Sequence, residues 1–192
     1  MLVKILIGVV VVLVILAVVV ATRPAAFHIE RSTTIAAPAE VVFERVNDFR
    51  AWGDWSPWEK MDPQMARTFG GPPAGEGSTY AWRGNSKVGE GRMTIERSER
   101  PGRIVIKLEF LKPFAATNTA TFTFSPAPGG GTAVNWAMDG RNNFMAKAFH
   151  ILMDVDKMVG ADFERGLAAM KTVAEAKAAP TTATAGTARA IE

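Results

Sequence analysis

Residues 27–43 read FHIERSTTIAAPAEVVF, and this stretch decides the fold. In residues 27–35 the apolar side chains fall on one parity, which is typical of a β-strand with one covered face. Pro38 and Glu40 then favour the start of a helix, because proline suits the first turn and a carboxylate suits the positive end of the helix dipole. The chain is therefore predicted to begin its folded part as a strand that runs directly into a short helix.

The middle of the chain, residues 77–139, changes to a period of two. Apolar residues alternate with polar ones in the segments 91–95, 104–110, 120–124 and 132–138, and glycines and prolines lie between these segments. Short alternating strands joined by short turns predict an antiparallel meander with one wet and one covered face.

The last part of the chain has the spacing of a helix. From Phe144 onward, apolar residues recur every three or four positions for about 30 residues, with a bend predicted near Gly160. The predicted order is a strand, one or two short helices, a run of strands and one long helix. We therefore predict an α+β fold in which this helix covers the sheet.

The N-terminal segment, residues 1–23, differs from the rest of the chain in its strongly apolar composition. Its residues outside the hydrophobic set are Lys4, Gly8, Thr22 and Arg23. The apolar run is long enough for a helix that crosses a bilayer, and it exceeds the hydrophobic region of an ordinary signal peptide. We predict a single-pass anchor that contacts the membrane through residues 2–21, followed by a linker at residues 24–26. A signal peptide cleaved near Ala21 is the alternative.

Charge and composition exclude several classes of protein. The chain has 22 Lys and Arg against 19 Asp and Glu, and two of the basic residues, Lys4 and Arg23, flank the apolar segment, so the remainder carries about +1. This balance does not indicate a nucleic-acid partner. Because the chain has no Cys, it has no disulfide, thiolate zinc site or Cys nucleophile. The tail, residues 178–192, is rich in Ala and Thr and is predicted to be disordered.

The positive-inside rule gives almost no preference for either orientation of the span, since Lys4 lies before the apolar segment and Arg23 after it. A short N-terminal tail before a single span is the usual signal-anchor arrangement. We therefore predict that the domain lies on the periplasmic or extracellular side.

Residues 27–173 resemble the START/polyketide-cyclase-like superfamily (SRPBCC, the helix-grip fold), of the bacterial polyketide cyclase/dehydrase and lipid-transport type. The residues that carry this resemblance are Ile35–Phe43, Val46-Asn47-Asp48-Phe49, Trp52, Trp55, Ser56, Pro57, Trp58, Asp62-Pro63, Gly77-Ser78, Tyr80, Trp82, Gly89–Met93, Gly131-Thr132, Val134, Trp136 and Gly160–Leu167. The resemblance implies a domain at residues 27–177 with a curved antiparallel sheet that grips the C-terminal helix around a cavity for an apolar ligand. It does not imply a reaction, because the same fold serves carriers, cyclases, hydratases and binding modules.

An aromatic cluster is the sharpest local feature. Trp52, Trp55 and Trp58 are spaced by three in a broken helical segment, and Tyr80 and Trp82 follow. They suit the mouth of a pocket, where they would stack on a flat or acyl ligand. Two alternatives stay open: the Trp side chains could lie at the headgroup level of the bilayer, or they could simply fill the core.

The predicted ligand-binding set combines these aromatic residues with covered-face strand positions and one residue of the last helix. Its members are Trp52, Trp55, Trp58, Tyr80, Trp82, Met93, Ile106, Leu108, Phe110, Phe122, Trp136, Met138 and Phe163.

Groups suited to catalysis are scarce. His28 has outward strand parity and His150 is read as a helix-surface residue, and the sequence has no triad, nucleophile-elbow or metal-ligand spacing. We therefore predict no catalytic residue, no metal and no cofactor. Arg31 has inward parity and is a candidate for a ligand carboxylate or phosphate, although a surface ion pair is the simpler interpretation.

Three functions follow from these patterns. The first is a membrane-anchored binding module for a hydrophobic small molecule or lipid. The second is a cyclase- or hydratase-type enzyme in the same cavity, which requires an acid or base with a perturbed pKa in the pocket. The third is a protein-interaction module with a filled core. The oligomeric state does not follow from the sequence.

Overall fold

The computed structural model of the chain describes residues 1–179. The helices are α1 (Leu2–Thr22), α2 (Ala39–Asn47), α3 (Trp52–Trp55), α4 (Pro57–Met61), α5 (Phe144–Leu152) and α6 (Val155–Ala178), with a 3₁₀ turn at Phe49–Ala51. The strands are β1 (Ala26–Ile35), β2 (Ala66–Gly70), β3 (Thr79–Arg83), β4 (Glu90–Glu99), β5 (Arg103–Lys112), β6 (Ala116–Pro126) and β7 (Thr132–Arg141).

The strands form one curved antiparallel sheet in the order β1-β7-β6-β5-β4-β3-β2. Consecutive strands from β2 to β7 are neighbours, so this part is a meander, and β1 closes the other edge against β7. The predicted α+β helix-grip fold is confirmed. β2 is an addition to the prediction, because all five of its residues are exposed and its sequence has no apolar alternation.

The covered face of the sheet carries the core. Buried and exposed residues alternate along β4, β6 and β7, as the period of two predicts. Ile95, Ile106 and Phe122 are fully buried in this face. On its other side the core is closed by Phe43 of α2 and by Leu167 of α6. The sheet and the helices therefore share one continuous core, as a two-layer domain requires.

The C-terminal helical region is broken, and the prediction of one helix of about 30 residues is wrong. α5 ends at Leu152, the backbone of Met153 is extended, and α6 begins at Val155. The Asp154 side chain accepts a hydrogen bond of 2.9 Å from the backbone N–H of Lys157, and this N-cap starts a new helix. Gly160, where the sequence predicts the bend, lies inside α6.

Gly160 has a packing role instead. The Arg31 guanidinium of β1 occupies the space where a Cβ at Gly160 would lie. From there, Arg31 Nη2 is 3.1 Å from Asp156 Oδ2 and Arg31 Nε is 3.0 Å from Glu164 Oε1. These hydrogen bonds to carboxylates raise the pKa of Arg31. Arg31 therefore ties α6 to β1, which is the ion-pair interpretation, and it does not line the cavity described below.

α1 is an almost fully exposed apolar helix. Of the residues in α1, only Val20 is buried, near the end that contacts α5. Within residues 1–179, α1 is the one helix that is long and apolar enough to cross a membrane, with a mean hydropathy of 3.4. This finding rests on length and composition, which a signal sequence also satisfies.

The elements of the domain that follows α1 run from β1 to α6. β1 begins at Ala26, one residue before the predicted domain, and α6 ends at Ala178. Ala178 therefore belongs to the last helix and not to the predicted tail. The rest of that tail, beyond residue 179, lies outside the described residues.

Candidate functional site

A cavity of about 260 Å³ lies between the sheet and the helices α3, α4 and α6. Its volume is near the lower end of the range for small-molecule sites. The residues that line it are Trp52, Ser56, Trp58, Glu59, Met65, Tyr80, Trp82, Lys87, Val88, Met93, Leu108, Phe110, Ala120, Trp136, Met138, Val159, Asp162 and Phe163. Most of these side chains are apolar, and the flexible Met65, Met93 and Met138 allow their part of the wall to adapt in shape.

The structure brings most of the predicted binding residues together on this wall. Those that line the cavity are Trp52, Trp58, Tyr80, Trp82, Met93, Leu108, Phe110, Trp136, Met138 and Phe163. The other three, Trp55, Ile106 and Phe122, have no exposed surface and pack in the core behind the wall. These three do not line the cavity. Strand parity gives the face that Ile106 and Phe122 take but not their depth in the core, and Trp55 lies in α3.

Aromatic rings form the wall that faces α6. The rings of Trp136 and Phe163 are stacked, with centroids 4.1 Å apart and planes 5° apart. On the β6 side, the ring of Phe122 stacks on Trp136 with centroids 4.8 Å apart. The ring of Trp58 contacts Trp136 edge-on, with centroids 5.6 Å apart. Trp136 is thereby held between strand β6 and helix α6, and this wall of the cavity is rigid.

The buried Trp residues do not form a rim at the bilayer. Trp52 and Trp55 are 4% and 0% exposed. Their indole N–H groups donate to the backbone carbonyls of Val46 and Arg45, at 3.1 and 2.8 Å. These two side chains fix the short helices on the core, whereas Trp58 and Trp82 are half-buried and reach the edge of the cavity.

A buried carboxylate at the cavity wall did not follow from the sequence. Glu59 of α4 is 8% exposed, and its Oε1 accepts a hydrogen bond of 2.5 Å from the Tyr80 hydroxyl. Its Oε2 accepts one of 2.6 Å from Arg67 Nε. Both carboxylate oxygens are therefore occupied by strong donors. A glutamate in a helix of five residues gives no periodic signal, and the only available clue is its place next to Trp58.

The pKa values of the neighbours reflect this arrangement. Burial raises the pKa of Tyr80 far above its ordinary value, and the hydrogen bond to Glu59 adds to this effect. The hydrogen bond to Glu59 raises the pKa of Arg67. Tyr80 is therefore a neutral hydrogen-bond donor to Glu59 at ordinary pH, and Arg67 is a cationic donor to the other oxygen of the same carboxylate.

Two other charged residues line the cavity. Lys87, in the β3–β4 connection, is exposed, whereas the Asp162 side chain of α6 is 14% exposed and forms an ion pair with Arg165. Within residues 1–179, no group of three or more His, Asp or Glu is placed to hold a metal ion. The lining of the cavity therefore combines a mostly apolar, aromatic surface with the Glu59–Tyr80 pair and the Asp162 carboxylate.

A curved antiparallel sheet that closes on a C-terminal helix around an apolar cavity defines a helix-grip ligand-binding domain. Residues 26–175 match the model of the family described as "Polyketide cyclase / dehydrase and lipid transport". Because the match spans well over half of the chain, the protein belongs to this family. Fold and family together make it a polyketide cyclase/dehydrase-like ligand-binding domain.

Solved structures with the same fold are numerous but distant in sequence. Protein CV1439 from Chromobacterium violaceum has a TM-score of 0.56 at 14% identity, over 77% of this chain and 96% of its own. Protein SA2116 from Staphylococcus aureus, described as of unknown function, has a TM-score of 0.58 at 12% identity, over 81% and 97%. No curated protein matches the chain in sequence.

The di-domain ARO/CYC StfQ, from the steffimycin biosynthetic pathway, has a TM-score of 0.57 at 13% identity. The similarity covers 80% of this chain and 52% of StfQ, so this chain spans about half of that protein. At such identities the similarity shows the fold alone.

Proposed function

We propose that this protein is a membrane-anchored binding module for a hydrophobic small molecule or lipid, held between the sheet and α6. The observation that carries the proposal is the apolar cavity under the aromatic wall. A rigid aromatic surface such as the Trp136–Phe163 stack binds flat or acyl groups at little cost in conformational entropy.

The cavity volume limits the ligand. About 260 Å³ suits a small ring system or one acyl chain rather than a complete two-chain phospholipid. Flexible side chains on the wall, such as Met93 and Met138, allow some adjustment to ligand shape. The Glu59–Tyr80 pair offers a polar anchor at one place in this otherwise apolar surface.

The anchor is α1. Its 21 residues match the thickness of the hydrocarbon core, and its side chains have no protein partner except near the α5 contact. Lys4 and Arg23 flank the apolar stretch, as is common at the ends of a span. An anchored binding protein exchanges its ligand locally, at the membrane, and the proposed location of the domain is the periplasmic or extracellular side.

Ligand capture tests the proposal. Residues 24–179, expressed in a bacterial host, should retain an apolar molecule that native mass spectrometry detects and organic extraction removes. Ala120→Met, which fills the cavity, should lower the affinity for a fluorescent fatty acid at least about tenfold, equivalent to ~1.4 kcal/mol. The matched control, Thr121→Met on the opposite face of β6, should bind like the wild type. Absence of both a co-purifying molecule and probe binding would contradict the proposal.

A second candidate function is a cyclase- or hydratase-type reaction in the same cavity. Glu59 favours it, since a buried carboxylate beside a tyrosine hydroxyl can hold or move a proton. Against it, both carboxylate oxygens already accept strong hydrogen bonds. Ligand recovered from the Glu59→Gln variant should have the same mass as ligand from the wild type if the protein only binds. A different mass would favour the enzyme.

The third function considered from the sequence, an interaction module with a filled core, requires a packed interior. The cavity lined by Met93, Leu108 and Ala120 argues against a packed interior. We therefore do not propose it.

A further inference from the structure

One end of the sheet lies next to the apolar helix α1, and we call it the proximal end. There, Ala26 at the start of β1 pairs with Arg141 at the end of β7, and Phe110 near the end of β5 pairs with Ala116 at the start of β6. Only residues 23–25 connect α1 to β1. Such a short connection reaches about 14 Å at most when fully extended.

Two further contacts hold α1 and the connection that follows it to this end. The backbone N–H of Asn142 donates to the carbonyl of Ala25 at 2.7 Å. Lys147 Nζ of α5 donates to the carbonyl of Ala21 at 3.3 Å. If α1 spans a bilayer, these contacts and the short connection place the proximal end at the bilayer surface.

The exposed large hydrophobic side chains are concentrated at the same end. Among the described side chains outside residues 1–22, all of them except Phe69 lie in residues 111–114, at the end of β5 and in the β5–β6 connection, or in residues 144–158. In the β5–β6 connection, Phe114 is 74% exposed. Met145 and Phe149 are four positions apart and therefore share one exposed face of α5, and the exposed Met153 directly follows this helix.

Single exposed apolar residues are ordinary, but a group of them at one end of a domain marks a binding surface. We define the proximal apolar surface as Leu111, Phe114, Met145, Phe149 and Met153. Lysines accompany it: Lys112 is the last residue of β5, two positions before Phe114, and Lys147 lies on α5. This mixture of aromatic, thioether and ammonium groups is the composition of surfaces that enter the interfacial layer of a membrane.

The cavity leads to the proximal end. Its wall is buried at Tyr80 and Met93, farther along the strands, and becomes half-buried or exposed at Phe110, Val88 and Lys87. The latter residues lie at the proximal end, in the β3–β4 connection and the last part of β5. The opening of the cavity and the proximal apolar surface therefore face the same way.

We propose that the proximal apolar surface inserts into the interfacial layer of the bilayer that α1 spans, so that the cavity takes its ligand from the lipid phase. This proposal rests on the proposed function, because the bilayer is the occupant only if α1 is a membrane anchor. Phe114 and Met145 enter the layer, Lys112 and Lys147 contact anionic headgroups, and the ligand reaches the wall past Phe110 without crossing water.

Site-specific labels test this docking in the full chain. Because the chain has no Cys, a single introduced cysteine is the only labelled position. Phe114→Cys and Met145→Cys, each with an environment-sensitive NBD label, are reconstituted in vesicles of phosphatidylcholine and phosphatidylglycerol. We expect blue-shifted emission, quenching by nitroxides on the lipid acyl chains, and roughly threefold weaker quenching by aqueous iodide than at the control position. The control is Ser125→Cys, an exposed position near the opposite end of β6.

The outcomes separate the two proposals. If the protein does not float with vesicles in high salt, the anchor is wrong and the docking fails with it. If the protein floats but the labels at Phe114 and Met145 are as open to iodide as the label at Ser125, only the docking is wrong. Protection from iodide without quenching by lipid nitroxides indicates a contact with a second copy of the chain, and it also overturns the docking.

A functional readout follows from the same surface. Phe114→Asp combined with Met145→Glu should slow uptake of a fluorescent fatty acid from vesicles at least roughly fivefold, because inserting charge opposes interfacial binding. Binding of the same probe added in aqueous solution should be unchanged, since neither residue lines the cavity. Equal uptake from vesicles by the variant and the wild type would overturn the proposed route of entry.

Discussion

Tyr80 is the single tyrosine of the chain, so its ionisation can be followed without interference. Burial raises its pKa above the ordinary value of 10.0, and Glu59 adds to the shift. A raised pKa means that the folded state holds the proton more tightly than the unfolded state does. The contribution of Tyr80 to the free energy of unfolding is fully present below about pH 10 and is lost as the pH rises through the folded-state pKa.

We therefore predict that tyrosinate absorbance appears at clearly higher pH in the native protein than in the protein unfolded in urea. The Tyr80→Phe variant should lack this alkaline loss of stability. At neutral pH the same variant should lose about 1.5–3 kcal/mol of unfolding free energy, since it removes a hydrogen bond to a charged group. Coincident titration curves for native and unfolded protein would contradict the burial of Tyr80.

His28 gives a second titration at the surface. Its Nδ1 lies 2.7 Å from Asp139 Oδ1, and its Nε2 lies 3.4 Å from Glu30 Oε2. The hydrogen bond to Asp139 is the main cause that raises the pKa of His28 above 6.5. The stability from this contact is present below pH 6.5 and is lost as the pH rises through the higher folded-state pKa.

We predict that the NMR titration of His28 gives a pKa above 6.5 and that Asp139→Asn lowers it. Glu30→Gln is the matched control and should lower the pKa by less, because its hydrogen bond is the weaker cause. An equal decrease in both variants would mean that Asp139 has no special role.

At the scale of elements, glycines show where α6 must approach its neighbours closely. A Cβ at Gly166 would lie 2.9 Å from Trp136 Cζ3 and 3.1 Å from Pro57 Cδ. Trp136 has little room to move, because Phe163 and Phe122 stack on its two sides. Gly53, on the exposed side of α3, has no atom within 4 Å of the corresponding position.

Gly166→Ala should therefore destabilise the protein by about 1–2 kcal/mol, because overpacking costs more than the gain in helix propensity. Gly53→Ala, the control, should be neutral or should stabilise by up to about 1 kcal/mol. Urea unfolding of the two variants measures both effects. A stabilised Gly166→Ala variant would mean that Trp136 is free to shift.

The elements were predictable to different degrees. β4, β6 and β7 follow from the alternation of residues such as Phe122 and Val134, because each strand has one covered face. β2 did not follow, since an exposed edge strand needs no apolar residues. The break before Asp154 was also missed, because the apolar spacing continues across it and the cap depends on a single side-chain hydrogen bond.

At the scale of the whole molecule, the proposed membrane anchor makes a clear prediction. The full chain should stay in the membrane fraction after a carbonate wash, because extracting a 21-residue apolar helix into water exposes a large apolar area. Residues 24–179 should appear in the soluble fraction as the control. Release of the full chain, or a mature N-terminus immediately after Ala21, would contradict the anchor and favour a cleaved signal peptide.

The sequence by itself distinguished the apolar N-terminal segment from the folded domain. It also determined the order of the main elements and the covered face of most strands, because burial imposes a period of two or of 3.6 on apolar residues. Only the tertiary structure decided which covered residues line the cavity and which fill the core. Trp55 and Trp58 illustrate this, since they share one motif but differ in depth. Likewise, Glu59, Arg67 and Tyr80 meet only after α4 packs on the sheet, and no local pattern records a contact made across the fold.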